Sequence, residues 1–300
     1  MSIFHDAIVR TLPLVPKPIV YRFARRYVAG ESLDDAVARI RELAAEGCSA
    51  TIDVLGEDIT RREEARGAVA DYLAVLERIA ADRLDANISI KPSMFGLKLD
   101  RDFCLENIRE VVLSAKAKDV FVRLDMEDST CTDETFRLTR ELRKVHPKLG
   151  VVIQAYLRRT VADVDALVAE GTNVRLCKGI YVERREIAWK ERDIVIRNYG
   201  LCCDKLLSGG CYVGIATHDE ACVWEALRTI DRLKLPRDRY EFQMLLGVEE
   251  RLRRILVAEG HRMRVYVPFG RSWHAYSMRR LKENPAIAGH IVKAFFARGE

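Results

Sequence analysis

From residue 48 onward the chain alternates between two hydrophobic rhythms. Short runs rich in β-branched and aromatic residues are separated by longer stretches whose apolar positions recur at helical spacing. The short runs are 50–55, 87–90, 120–124, 151–154, 173–177, 211–216, 240–243 and 263–267, eight in all. A helical stretch follows each, the last covering 275–283. Eight strand–helix units in succession predict an α/β fold with a parallel sheet and right-handed crossovers. Closure into a (β/α)8 TIM barrel is the natural solution for eight, and a doubly wound open sheet is the rival.

Ahead of the barrel, 4–27 reads as a helical preface broken by Pro13, Pro16 and Pro18. The stretch 32–46 reads as a helix, with Ser32 as N-cap, Asp35 three residues on, and Gly47 at the stop. No internal repeat, low-complexity tract or Pro/Gly-rich linker interrupts the pattern. The organisation expected is one domain over 1–300, with N-terminal helices over 1–47 and the barrel over 48–300.

In such a barrel the active-site groups sit at the C-terminal ends of the strands. Those ends carry Asp53, Lys91, Asp125, Gln154, Arg175 with Lys178, Thr217 with His218, Gln243 and Tyr266. A single polar strand end is ordinarily just solvated; a full ring of them points to a shared polar cavity. Its cations (Lys91, Arg175, Lys178) and anions (Asp53, Asp125) suit a ligand that carries an anionic group together with a dipolar or cationic one. On the last helix, Tyr276, Arg279, Arg280 and Glu283 share one face, and two neighbouring guanidinium groups suit a carboxylate. Taken alone, that face would more often be a surface ion-pair cluster.

Composition narrows the class. With 49% apolar and 32% charged residues over 300 positions, the chain has the make-up of a folded globular protein. Fifty basic and 45 acidic residues leave a net charge of +5, too balanced for a nucleic-acid binder. Weak attraction to anionic membrane surfaces stays open, with 22–26 locally basic. The eight cysteines form no Cys-x-x-Cys pair and read as small core residues. No run is long and apolar enough to span a bilayer, and the compartment expected is the cytoplasm. There is no Gly-x-Gly-x-x-Gly, Walker loop, His-Glu-x-x-His or Gly-x-Ser-x-Gly. Carboxylates and histidines at the strand ends are too few for a metal site, so none is expected. The residues by themselves lead to a barrel enzyme for a small carboxylate ligand and leave the reaction open.

An ordered set of motifs takes the reading further. Ser89-Ile-Lys-Pro-Ser93, Leu124-Asp125, Gln154-Ala-Tyr156, Arg175-Leu-Cys-Lys-Gly179 with Tyr181, Ala216-Thr-His218, Phe242-Gln-Met-Leu245, Arg264-Val-Tyr-Val-Pro268 and Tyr276-Ser-Met-Arg-Arg-Leu281 resemble the proline dehydrogenases. The resemblance begins near Leu12 and continues to the C-terminus, and the chain is similar to the short monofunctional bacterial form. It implies a distorted barrel whose last helix lies over the C-terminal face. It also implies FAD-dependent oxidation of L-proline to pyrroline-5-carboxylate, the first step of proline catabolism to glutamate. Electrons would pass to a membrane quinone, by peripheral contact at the inner face of the plasma membrane. A separate pyrroline-5-carboxylate dehydrogenase would act next.

Carried over by motif, Asp125 and Arg175 would be catalytic, with Arg175 also on the flavin. Met126, Gln154, Lys178, Gly179, Ile180, Thr217 and His218 would bind FAD. Lys91, Arg279 and Arg280 would bind the proline carboxylate, Asp125 would lie beside the substrate, and Tyr266 and Tyr276 would shape its pocket. Glu57 would pair with the first arginine as a gate. Three positions depart from the pattern. Cys177 and Ile180 stand where Val and Ala are expected, and Asp219 stands where many relatives have Asn. Two other readings fit the bare pattern: a metal-dependent hydrolase or lyase, and a non-catalytic sensor of proline or flavin.

Overall fold

The computed structural model describes residues 20–21, 24–56, 58–274 and 276–278. Eight parallel strands pair in sequence order and close into a barrel: β1 (Cys48–Val54), β2 (Ala86–Ile90), β3 (Val122–Leu124), β4 (Leu149–Gln154), β5 (Asn173–Cys177), β6 (Val213–Ala216), β7 (Tyr240–Leu245) and β8 (Met263–Phe269). The closing pair is the most extensive, with β1 in register with β8 from Cys48↔Met263 to Val54↔Phe269. The open-sheet alternative is thereby excluded.

The helices are α1 (Leu33–Ala45), ahead of β1, then α2 (Arg62–Ala81), α3 (Arg101–Ala117), α4 (Thr132–Arg143), α5 (Thr160–Ala169), α6 (Arg192–Ser208), α7 (Glu220–Leu233) and α8 (Glu250–Ala258). Their starts follow local chemistry. Ser32 and Asp35 form a capping box on α1, with Asp35 N donating to Ser32 Oγ at 3.1 Å and Ser32 N to Asp35 Oδ2 at 3.0 Å. Asp100 caps α3 and Asp219 caps α7. Most of the expected preface, and the last helix beyond Met278, lie outside the described residues.

Side chains alternate across each strand, and here the two faces have opposite character. Ile52, Ile88, Leu124, Ile153, Leu176, Ile215, Phe242 and Val265 all join one apolar core beneath the helix ring. Most of their neighbours on the other face are polar: Thr51 and Asp53, Ser89, Arg123, Gln154, Arg175, Glu241 and Gln243, Arg264 and Tyr266; Val152, Gly214 and Ala216 stand among them. The barrel interior is therefore filled largely by hydrogen-bonded and charged groups, and the apolar core lies between the strands and the helices.

Strand limits differ slightly from the sequence pattern. β3 begins at Val122 because Val120 N still donates to Ala115 O, closing the turn after α3. β6 begins at Val213, since Cys211 N donates to Leu206 O. β7 and β8 run further than their apolar patterns suggest, to Leu245 and Phe269. All eight cysteines are free thiols, and only Cys177 is not buried.

Candidate active site

At the C-terminal ends of the strands the inward groups meet in one network. Lys91 Nζ donates to Asp53 Oδ1 at 2.5 Å and to the Tyr266 hydroxyl at 3.4 Å. That hydroxyl donates to Asp125 Oδ2 at 2.8 Å. Asp125 Oδ1 accepts from Ser89 Oγ at 2.6 Å and from Arg175 Nη1 at 2.9 Å. Arg175 Nε donates to Gln243 Oε1 at 2.6 Å, and its guanidinium carbon lies 5.2 Å from the Tyr266 ring centre. Strands β2, β5 and β8 are not neighbours, so these groups can touch only inside the barrel.

The protonation states follow from burial. Asp53 is fully buried, and desolvation pushes its carboxyl above the usual range, with Lys91 opposing and Asp125 adding to the rise. Burial, reinforced by Asp125 and Asp53, lifts the Tyr266 phenol well above its ordinary value, so it stays protonated and acts as a donor.

Above this floor the barrel opens into a cavity of about 990 Å3. Lys91, Asp125, Met126, Gln154, Arg175, Lys178, Gly179, Ile180, Thr217, His218, Tyr266 and Tyr276 all line it. Asp53 does not; it lies beneath, held by Lys91, so the strand-end reading of Asp53 as a ligand group is corrected to a buried counter-ion. Glu57, Arg279 and Arg280 lie outside the described residues, as does Glu283. The cavity is at the upper end of the roughly 300–1,000 Å3 of small-molecule sites, which suits a ligand of dinucleotide size.

The rim fits such a ligand. Gly179 has φ 112°, and a Cβ there would stand 2.0 Å from Tyr156 Cδ1, so only glycine lets the loop after β5 turn across that ring. Leu245 N donates to His218 Nε2 at 2.8 Å, which makes that nitrogen an acceptor and leaves the ring's proton on Nδ1. Lys178 and Arg192 both reach Asp219 Oδ2, at 2.9 and 2.7 Å. Two cations thus flank one acid at the mouth.

Gln243, expected among the polar strand ends, takes its place here as the partner of Arg175. The fold also brings in groups that the motif reading gave no role: Ser89 is two residues before Lys91 on the same inner strand face, and the two-residue period was the available signal. Arg192 had none. Glu127, two residues after Asp125, is buried and accepts from Ser93 N at 2.8 Å and from Ser93 Oγ. Ser93 Oγ in turn accepts from Asp58 N at 3.1 Å, tying the loops after β1, β2 and β3 together.

Burial pushes the Glu127 carboxyl from 4.5 up to about 7, against the pull of the two Ser93 donors. Between those values the folded protein holds a proton that the unfolded chain releases. Stability should therefore fall as pH rises from 4.5 to about 7 and then level off, with this group contributing about 3 kcal/mol over the window. Urea unfolding at a series of pH values should show the slope in wild type and a flatter profile in Glu127→Gln. Identical slopes in the two proteins would show that Glu127 stays ionised.

Comparison with known proteins bears on the family. The proline dehydrogenase family model matches residues 36–293. Proline dehydrogenase 1 of Bacillus subtilis subsp. natto is 36% identical over 276 residues, which cover 92% of this chain and 91% of the relative. The proline dehydrogenase of Deinococcus radiodurans is 35% identical over 281 residues, covering 91% of this chain and 90% of the relative. Among solved structures, proline utilization A (PutA) from Bdellovibrio bacteriovorus, inactivated by N-propargylglycine, superposes with a TM-score of 0.80 at 27% identity. That match covers 87% of this chain and 32% of the larger protein.

Proposed function

The chain belongs to the proline dehydrogenase family, an oxidoreductase acting on a CH–NH group at the first step of proline catabolism; from that premise we propose how its cavity is used. The substrate is L-proline, the product pyrroline-5-carboxylate, the cofactor FAD and the electron acceptor a membrane quinone. The observation that carries the reading is the continuous Lys91–Tyr266–Asp125–Arg175 array on the floor of the 990 Å3 cavity.

Lys91, with Arg279 and Arg280 from the last helix, binds the proline carboxylate. Asp125 lies beside the ring nitrogen, in an orientation fixed by three donors: Ser89, Arg175 and Tyr266. Tyr266 and Tyr276 form the walls that exclude water from the reacting carbon, and Glu57 closes the site against the first arginine. Met126, Gln154, Lys178, Gly179, Ile180, Thr217 and His218 would hold FAD, which would supply the hydride acceptor. Arg175 would contact the flavin and would favour the negative charge gained on reduction. Lys178 and Arg192, with Asp219 between them, lie at the mouth, where a diphosphate would meet them.

Among the described residues no helix is long and apolar enough to cross a membrane. The quinone pool is reached by peripheral contact. The product is released to a separate pyrroline-5-carboxylate dehydrogenase. The purified protein is expected to be yellow and to bleach on anaerobic addition of L-proline. Turnover should follow with a soluble quinone analogue and not with NAD. A preparation that takes up no FAD overturns the cofactor reading, and turnover with NAD alone overturns the acceptor.

A further inference from the structure

The hydrogen-bonded array under the cavity does not stop at Arg175. Gln243 Oε1 accepts from Arg175 Nε at 2.6 Å, while at its other end Gln243 Nε2 donates to Glu241 Oε1 at 2.7 Å. The same Glu241 oxygen accepts from Arg264 Nε at 2.8 Å, and Arg264 Nη1 donates to Ala50 O at 2.7 Å. Glu241, Gln243 and Arg264 are all buried. A file of polar groups thus crosses the barrel from its N-terminal half to the catalytic floor.

We propose that Glu241 is a positioning residue for Arg175, acting through the carboxamide of Gln243. The reason lies in the two ends of an amide. Free to rotate, Gln243 could present either its oxygen or its NH2 to the guanidinium, and the NH2 would repel it. An anionic carboxylate behind it accepts only, so it captures the NH2 and leaves the oxygen facing Arg175. Arg264 holds that carboxylate charged: the ion pair and the Gln243 hydrogen bond keep Glu241 below the usual carboxylate range despite its burial. With Nε held by Gln243, the Nη1 edge of Arg175 is left aimed at Asp125 and Ser89. Glu241 does not line the cavity, so its hydrogen-bonded route to the floor runs through Gln243 and Arg175.

The proposal rests on the reading of Arg175 as a flavin contact, and its test separates the two. The variants are Glu241→Gln and, to avoid leaving Arg264 as an uncompensated buried charge, the double variant Glu241→Gln/Arg264→Met. Thr51→Val, which breaks the buried Thr51–Asn87 bond beside the file and leaves every side chain of the file unchanged, controls for general loosening. The first readout is the hydrogen-exchange rate of the Arg175 Nε–H by NMR, which needs no flavin. Exchange should accelerate at least about tenfold in both Glu241 variants, as expected if ~1.4 kcal/mol of protection is lost, and not in Thr51→Val. The second is the midpoint potential of the bound flavin. Weaker support from Arg175 should shift the two-electron reduction about tenfold toward the oxidised form, a fall of ~30 mV, with flavin content retained. Unchanged Arg175 exchange in the folded double variant overturns the relay. Altered exchange with an unchanged potential keeps the relay and removes Arg175 from the flavin.

Discussion

Replacing Lys91 by methionine is expected to lower both stability and activity, by separable routes. The ammonium is the partner of Asp53, a carboxylate with no exposure, at 2.5 Å. Removing one member of a buried ion pair typically costs about 3–5 kcal/mol, because the other is left uncompensated. Asp53 already has its carboxyl pushed up by burial, so in the variant it should take up a proton rather than remain charged. The penalty should therefore grow as pH rises, since the unfolded chain gives up that proton readily and the folded state does not. Adding Asp53→Asn removes the stranded charge and should return most of the stability. Activity should not return with it. A buried substrate carboxylate that loses a charged donor loses on the order of 2–4 kcal/mol, or roughly 30- to 1,000-fold in kcat/KM. Denaturant unfolding at acid and alkaline pH, beside steady-state kinetics with proline, checks both halves. If the double variant regains activity together with stability, Lys91 serves the fold and not the substrate.

Arg175→Met should act mainly on kcat. The guanidinium donates to Asp125, Ser89 and Gln243 from the cavity floor and stacks near the Tyr266 ring. Loss of one preorganised donor aimed at developing charge costs about 100- to 1,000-fold in kcat. Asp125 keeps Ser89 and Tyr266 as donors, so the floor should persist and proline should still bind. Arg175→Lys keeps the charge without the planar fork, and should fall between wild type and the methionine variant. The rate of flavin reduction by proline under anaerobic stopped-flow conditions is the direct measure. A methionine variant with a wild-type reduction rate and a raised KM would mean that Arg175 only binds substrate.

How much of this was legible beforehand differs from element to element. The number of strands and their order could be read because β-branched runs and helical spacing are local signals, and an unbroken series of eight βα units leaves few topologies. Candidate site residues such as Lys91, Asp125, Arg175 and Tyr266 were visible as polar groups at strand ends, and the motif resemblance implied the chemistry. Arg123, Glu241 and Arg264 were not singled out, although each sits on the inner face of its strand by the same alternation. A charged residue within a strand run reads as an exposed position unless the sheet is known to close on itself. Inside the closed barrel Arg123 is 1% exposed and donates to Val151 O, Asn173 O and Asn173 Oδ1.

What the amino-acid sequence determined by itself is which residues of each strand share a face, because side-chain direction along a strand has a period of two and needs no partner to define it. What only the tertiary structure decided is how those residues share protons and charges. Tyr266 and Asp125 stand 141 positions apart and meet because β8 closes against β1. Lys91 spends its charge on Asp53, and Gln243 turns its oxygen to Arg175 because Glu241 takes the other end. Such choices depend on distances across the barrel, and those distances exist only once the eighth strand has paired with the first.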